Sequence, residues 1–375
     1  MSKVKFGDIV KDVKINVDRG NNPYEFYVAG DHMDSEDLNI RRRGRFATDD
    51  VGPAFTRIFK PGQVLYGSRR TYLKKVAVAD FEGICANTTF VFETKDSMVF
   101  EQRLLPFLML SEGFTNWSIS HSKGSTNPYV LFSDLASYEF DLPSIDEQKV
   151  LAEKLWAAYE VKQSYLKMID ATQEMVKAQF IEMFGEPFTS NYPQKKLSEV
   201  SIFKSGTTYP VFDEKENGDI PYSKVADMNL EGNEVYMNFS SKYLDKSVVG
   251  NSILPIGTVI FPKRGAAIAT NKKRILNRNM CVDLNIMGVI PSEAIDPIYL
   301  YSYFYCIDLV NIMDNSGIPQ INNKHLTSLS IGVPPLDKQK DFVSIFQQSD
   351  KSISELRKSI DAIDKVIKSL INENL

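Results

Sequence analysis

Hydrophobic positions along the chain follow two alternating regimes. Up to about residue 142, and again from about 187 to 333, short β-branched and aromatic runs are cut by Gly, Pro and Asn. Val64–Tyr66, Val76–Val78 and Thr88–Phe92 are such runs, and their length and composition predict strands joined by turns. Elsewhere the period lengthens. Positions 152, 155, 159, 162, 166, 169, 173, 176, 180 and 183 alternate three and four apart, and all but Lys162 and Gln173 are apolar. A second ladder runs through Phe342, Phe346, Ile353, Leu356, Ile360, Ile363, Ile367 and Leu370, with Ser349 its polar step. Seams this long and this narrow predict two helices that pair with each other, since a domain-packed helix shows a wider apolar face. The expected seam residues are Leu155, Leu166, Ile169, Val176, Ile353, Leu356, Ile360, Ile363 and Ile367. Each helix should start just after a proline, with Asp146 or Asp337 accepting its first N–H groups. Gly185-Glu186-Pro187 should end the first.

The chain also repeats itself. Lys5-Phe6-Gly7-Asp8-Ile9 resembles Lys196-Leu197-Ser198-Glu199-Val200, and Gly62-Gln63-Val64-Leu65-Tyr66 resembles Gly257-Thr258-Val259-Ile260-Phe261. Leu142-Pro143-Ser144-Ile145-Asp146-Glu147-Gln148-Lys149 matches Val333-Pro334-Pro335-Leu336-Asp337-Lys338-Gln339-Lys340. Ordered matches at nearly one offset indicate a tandem duplication, and 375 residues suit two domains. The heptad ladders align best at an offset four residues shorter than the proline motifs do, so the first helix is expected to carry a four-residue stutter.

Charge sharpens the picture. The net charge is −4, yet residues 41–75 hold ten Lys/Arg against two acids, and residues 262–282 hold six against none. In the register of the repeat, Arg69 falls on Arg264. Two compact basic segments on an otherwise acidic chain suit local phosphate contact. The candidate contacts are Arg41, Arg42, Arg43, Arg69, Arg70, Lys74, Lys263, Arg264, Lys272, Lys273 and Arg274, with Arg69 and Arg264 expected at the nucleic-acid face of their domains.

No catalytic constellation emerges. Cys85, Cys281 and Cys306 form no CxxC pair and His32, His121 and His325 are scattered, so no metal cluster is expected. No two glycines are separated by a single residue, which removes GxG cofactor loops, and no P-loop is present. Asn21-Asn22-Pro23-Tyr24 and Thr126-Asn127-Pro128-Tyr129 are degraded forms of a methylase clamp. Asp80…Glu93-Thr94-Lys95 matches a nuclease pattern only loosely, and the second repeat lacks it. Without an apolar leader or an 18-residue apolar stretch, a soluble, cytoplasmic chain with no membrane partner is expected.

Two β-rich domains, each with a Gly-x-Val-Leu/Ile-aromatic run followed by an Arg, thus alternate with two helices. Each helix is introduced by Leu/Val-Pro-x-Ile/Leu-Asp-x-Gln-Lys, and Met183-Phe184-Gly185 closes the first. In these features the whole chain resembles the specificity subunit of type I restriction–modification systems. The resemblance implies an α+β fold with two target-recognition domains (1–142 and 187–333). Two long helices (143–186 and 334–375) would join them as an antiparallel intramolecular coiled coil with pseudo-two-fold symmetry. It implies a non-catalytic protein that reads a bipartite site in double-stranded DNA and binds two methyltransferase subunits and motor-nuclease restriction subunits. S-adenosylmethionine would be held by the methyltransferase partners, with no cofactor on this chain. The alternatives are a coiled-coil adaptor that does not bind DNA, and the specificity subunit of a type IIG-like methylase system.

Overall fold

The computed structural model describes residues 2–375. These form two compact units, one of residues 1–166 with 357–375 and the other of residues 167–356. Each unit combines a β-rich body with one segment of each long helix. Those helices span Ile145–Phe184 and Leu336–Asn374.

The first unit contains β1 (Ser2–Lys5), β2 (Val10–Asp12), β3 (Phe26–Val28), β4 (Gly44–Arg45) and β5 (Phe55–Phe59). It continues with β6 (Val64–Gly67), β7 (Val76–Val78), β8 (Gly83–Ala86), β9 (Thr89–Thr94) and β10 (Glu139–Leu142). β1 pairs with β10, and two four-stranded sheets run β2-β9-β6-β7 and β4-β3-β8-β5. The runs expected as strands appear at β6, β7 and β9. β9 and β6 lie in the sheet centre, so Leu65, Val91 and Phe92 are wholly buried.

The second unit repeats this plan with β11 (Gln194–Lys196), β12 (Ser201–Ser205), β13 (Ile220–Ser223), β14 (Tyr236–Met237) and β15 (Lys242–Leu244). Then follow β16 (Val259–Pro262), β17 (Arg274–Leu276), β18 (Cys281–Val282), β19 (Ile286–Pro291) and β20 (Ser330–Gly332). β11 pairs with β20, the main sheet runs β12-β19-β16-β17-β14, and a three-stranded sheet runs β15-β13-β18. The parallel pair β3–β8 recurs as β13–β18. The duplication read from sequence is therefore a duplication of topology.

Within each unit the helix segments pack antiparallel. In the first, Lys162 Nζ meets Asp364 Oδ1 at 2.6 Å, while Leu151 and Leu155 share a core with Ile371. Lys162, a polar break in the seam, is thus satisfied across it. In the second, the Phe180 and Phe184 rings lie 5.3 and 5.8 Å from that of Phe342. Leu155, Ile169, Ile353 and Ile360 are buried, whereas Leu166, Val176, Leu356, Ile363 and Ile367 are half-buried.

Two expectations about the helices are corrected. The first concerns the caps. Asp146 and Asp337 occupy the second helical position and do not cap. In the first helix the cap is Ser144. Its N–H and hydroxyl donate to Glu147 Oε2 at 2.9 and 2.8 Å, and the Glu147 N–H donates back to Ser144 Oγ, a capping box. The aspartates still favour the helix start through its dipole. The second concerns the stutter. The helices start at equivalent motif positions and run 40 and 39 residues. Leu151 and Phe342, Leu155 and Phe346, Ile169 and Ile360, and Phe180 and Ile371 are buried at the same step from those starts. No surplus residues are needed. At the end of the first helix, Gly185 adopts φ 83° and its N–H donates to the Ile181 carbonyl at 2.7 Å, a glycine C-cap.

The motif glutamine has a role that composition did not reveal. Gln148 is fully buried, donates to the Val99 and Pro143 carbonyls at 3.0 and 2.9 Å, and accepts from the Glu101 N–H at 2.9 Å. Gln339 makes the same set, donating to Ala294 and Pro334 and accepting from Asp296. In both units this amide rivets the helix start to the globular body.

Candidate nucleic-acid interface

The expected basic positions lie chiefly on loops leaving the main sheets. In the first unit, β6 leads into Ser68, whose N–H and hydroxyl both donate to the Thr88 carbonyl. Arg69 then pairs in antiparallel fashion with Tyr129, and the Arg70 N–H donates to the Pro128 carbonyl at 2.6 Å. A 3-10 turn, Thr71–Leu73, follows between two residues in the left-handed region, Arg70 (φ 50°) and Lys74 (φ 49°). Such backbone in non-glycine residues stores strain and clusters at functional loops. The Arg69 guanidinium lies 6.0 Å from the Tyr129 ring centroid.

The second unit builds the same device. Arg264 follows β16 and pairs with Gln320, while the Gly265 N–H donates to the Pro319 carbonyl at 2.8 Å. The turn Gly265–Thr270 ends at Asn271, again left-handed (φ 54°). The Asn127-Pro128-Tyr129 run is therefore the loop that braces Arg69, and its counterpart at Pro319-Gln320 braces Arg264. Among the described residues, Arg69, Arg70 and Arg264 are exposed and form no ion pair with a carboxylate.

The other candidates are more committed. Arg41 Nε pairs with Asp37 at 2.8 Å, and its guanidinium also donates to Gln163. Arg42 pairs with Asp34 at 2.5 Å and donates to the Asp31 carbonyl. Arg43 stacks over Phe26 and Phe81, 3.8 and 4.8 Å from the ring centroids. Lys74 pairs with Glu36 at 2.6 Å. Lys263 Nζ donates to Ser205 Oγ at 2.8 Å, and burial and then Arg264 lower its pKa. Lys272 donates to Asn229 Oδ1.

One candidate is overturned as a surface contact, and its neighbour is half-buried. Lys273 is only 3% exposed, and its ammonium donates to Asn271 Oδ1 and the Ile307 carbonyl at 2.6 and 2.7 Å. Burial pushes its pKa down to about 8. Arg274 spends its terminal nitrogens on the Lys273 and Met228 carbonyls at 2.7 and 2.8 Å. Lys273 braces the loop from beneath just ahead of β17, and Arg274 opens that strand half-buried.

Sequence reasoning also missed how the Arg41–Arg43 loop is held. The Tyr159 hydroxyl, on the first long helix, donates to Asp37 Oδ1 at 2.5 Å and accepts from the Leu38 N–H and Asn39 Nδ2. Burial raises the Asp37 carboxyl, but the bonds from Arg41, Tyr159 and the Asn39 N–H outweigh it and hold the pKa low. A helix tyrosine and a loop aspartate thus position Arg41. The lone apolar-ladder signal at Tyr159 had pointed only to the seam.

Among the described residues no group of three or more His, Cys, Asp or Glu side chains could hold a metal ion, and no helix is long and apolar enough to cross a membrane. Exposed guanidinium groups on braced loops can contact phosphates or the edges of guanine.

Comparison with known proteins bears on this arrangement. The sequence profile of the type I restriction modification DNA specificity domain matches residues 12–164 and again 189–365. The chain is 26% identical over 148 residues to the type I restriction enzyme EcoDI specificity subunit of Escherichia coli, a match covering 40% of this chain but only 32% of that protein. It is 23% identical over 321 residues to the MjaVIII specificity subunit of Methanocaldococcus jannaschii, covering 78% of this chain and 73% of that protein. Among solved structures, a type I restriction–modification S subunit from M. genitalium shares the fold, with TM-score 0.55 at 14% identity over 100% of this chain and 96% of that one. A chain from work on complex assembly and conformational transition of the type I R-M system gives TM-score 0.53 at 19% identity over 100% and 98%.

Proposed function

This chain belongs to the type I restriction modification DNA specificity family, and from that premise we propose that it selects the DNA sequence on which a type I restriction–modification complex acts. Each unit reads one half of a bipartite target. One observation carries the reading. An arginine stands at the same strand end in both units, the residue after it donates the same hydrogen bond to an X-Pro loop, and among the described residues the arginine pairs with no acid. The test is binding of the assembled methylase to its target against salt concentration. Arg69→Ala and Arg264→Ala should each weaken binding and reduce the salt slope by about one. Unchanged affinity and slope in both would refute the proposal.

The chain acts without catalysis of its own, in the cytoplasm. Two methyltransferase subunits hold the S-adenosylmethionine and supply the methyl transfer, and motor-nuclease restriction subunits join them. A second stripe on the first long helix supports docking of the methyltransferase subunits. Val150, Ala157, Val161, Met168, Ala171, Met175 and Ala178 are exposed at heptad spacing, on a face the intramolecular seam does not use.

A further inference from the structure

The second unit presents two adjacent apolar side chains to solvent, Val211 at 82% exposure and Phe212 at 84%. The turn that carries them is held on both sides. Before it, Tyr209 is buried, its ring edge-on to Tyr222 at 5.3 Å and its hydroxyl donating to the Val249 carbonyl. After it, Glu214 accepts from Lys224 Nζ at 2.7 Å, and Lys215 exchanges both backbone hydrogen bonds with Tyr243. Pro210 fixes φ at the start of the turn, and the Asp213 N–H closes onto its carbonyl at 2.9 Å. Firm anchors therefore hold a valine and a phenylalanine in water, where both forgo the gain from burial.

Topology starts the segment that carries this turn and the basic loop from one end of the main sheet. β12 and β16 both run antiparallel to β19, with Ser205 opposite Met287 and Pro262 opposite Ile286. Both strands thus end at one edge of the sheet, where Lys263 Nζ donates to Ser205 Oγ. The apolar turn leaves from β12 and Arg264 from β16. In the first unit the turn between the corresponding strands is Arg19–Asn21, so one structural position carries Arg-Gly-Asn in one repeat and Val-Phe-Asp in the other.

Exposed cations and an anchored apolar tip in the same unit complement a DNA groove, whose walls are phosphates and whose floor carries the apolar methyl group of thymine. We infer that Val211 and Phe212 form an apolar base-reading element that selects a thymine, through its methyl group, in the half-site of the second unit. The inference rests on the DNA reading proposed above. It is tested on the chain assembled with its methyltransferase subunits. Phe212→Ala should relax one position of one half-site in single-molecule methylation sequencing. It should also cost about tenfold in affinity and leave the salt slope unchanged. Replacing that thymine by deoxyuridine should cost the parent protein a similar factor and the variant nothing. An unchanged methylated sequence and affinity, an equal deoxyuridine penalty in both proteins, or loss of the partner subunits from the variant would overturn the inference. Arg264→Ala, measured in parallel, separates the two claims. If it weakens binding while Phe212→Ala does not, only the apolar reader fails; if neither matters, the DNA reading fails with it.

Discussion

The two units share a frame and differ in what they mount on it. Both have the same pairing of a short N-terminal strand with the last strand, the same parallel strand pair and the same buried glutamine at the helix start. Both also brace an arginine against an X-Pro loop. They part at the loop tips. The turn after the arginine has three residues in one unit and six in the other, and the turn between the first main-sheet strand and the next changes from Arg-Gly-Asn to Val-Phe-Asp. A frame whose hydrogen bonds close internally tolerates any tip, so sequence preference can change without refolding. The helix segments differ as well. In the second unit Phe180, Phe184, Phe342 and Phe346 seal the pair, whereas the first uses aliphatic residues, Tyr159 and the Lys162–Asp364 ion pair.

That contrast can be broken at several strengths. Phe180→Ala opens a cavity among Phe184, Tyr299 and Phe342 and should cost the second unit about 3–5 kcal/mol. Denaturant unfolding with hydrogen exchange would assign the loss to residues 167–356. Gln148→Ala and Gln339→Ala should each cost about 2 kcal/mol, in the first and second unit respectively, since each leaves buried backbone groups unpaired. Unequal losses would show that the shared frame is not energetically shared.

A smaller effect separates the units by pH. Lys273 has a folded pKa near 8, below its unfolded value, so the unfolded chain binds more protons between the two and stability rises with pH there. Thermal unfolding of the second unit should strengthen by about 1 kcal/mol from pH 7 to pH 9, and Lys273→Met should abolish that gain. The weakest effect belongs to Lys162→Met. Its partner Asp364 is partly exposed, so the loss should stay under about 1 kcal/mol.

Much of this frame was legible in the chain. A heptad ladder survives in sequence because it needs only apolar side chains at fixed spacing, and the strands at Val64, Val76 and Thr89 show as β-branched runs. Burial of charge was not legible. Lys273 reads like its neighbours, because nothing local says that its ammonium is turned inward. Nor could Arg41, Arg42 and Lys74 be told from free cations, since Asp37, Asp34 and Glu36 precede the basic run and meet it only after the chain folds back. Val211 and Phe212 carry no local signal of exposure, and only the anchored turn shows them outside.

The central claim is that each unit reads its own half of the target. Exchange residues 187–333 for the matching segment of another family member, express the hybrid with its methyltransferase partners, and sequence the methylated genome. The claim predicts that one half of the methylated sequence changes and the other stays as it was. A hybrid that retains its assembly and activity while both halves change, or neither does, would contradict it.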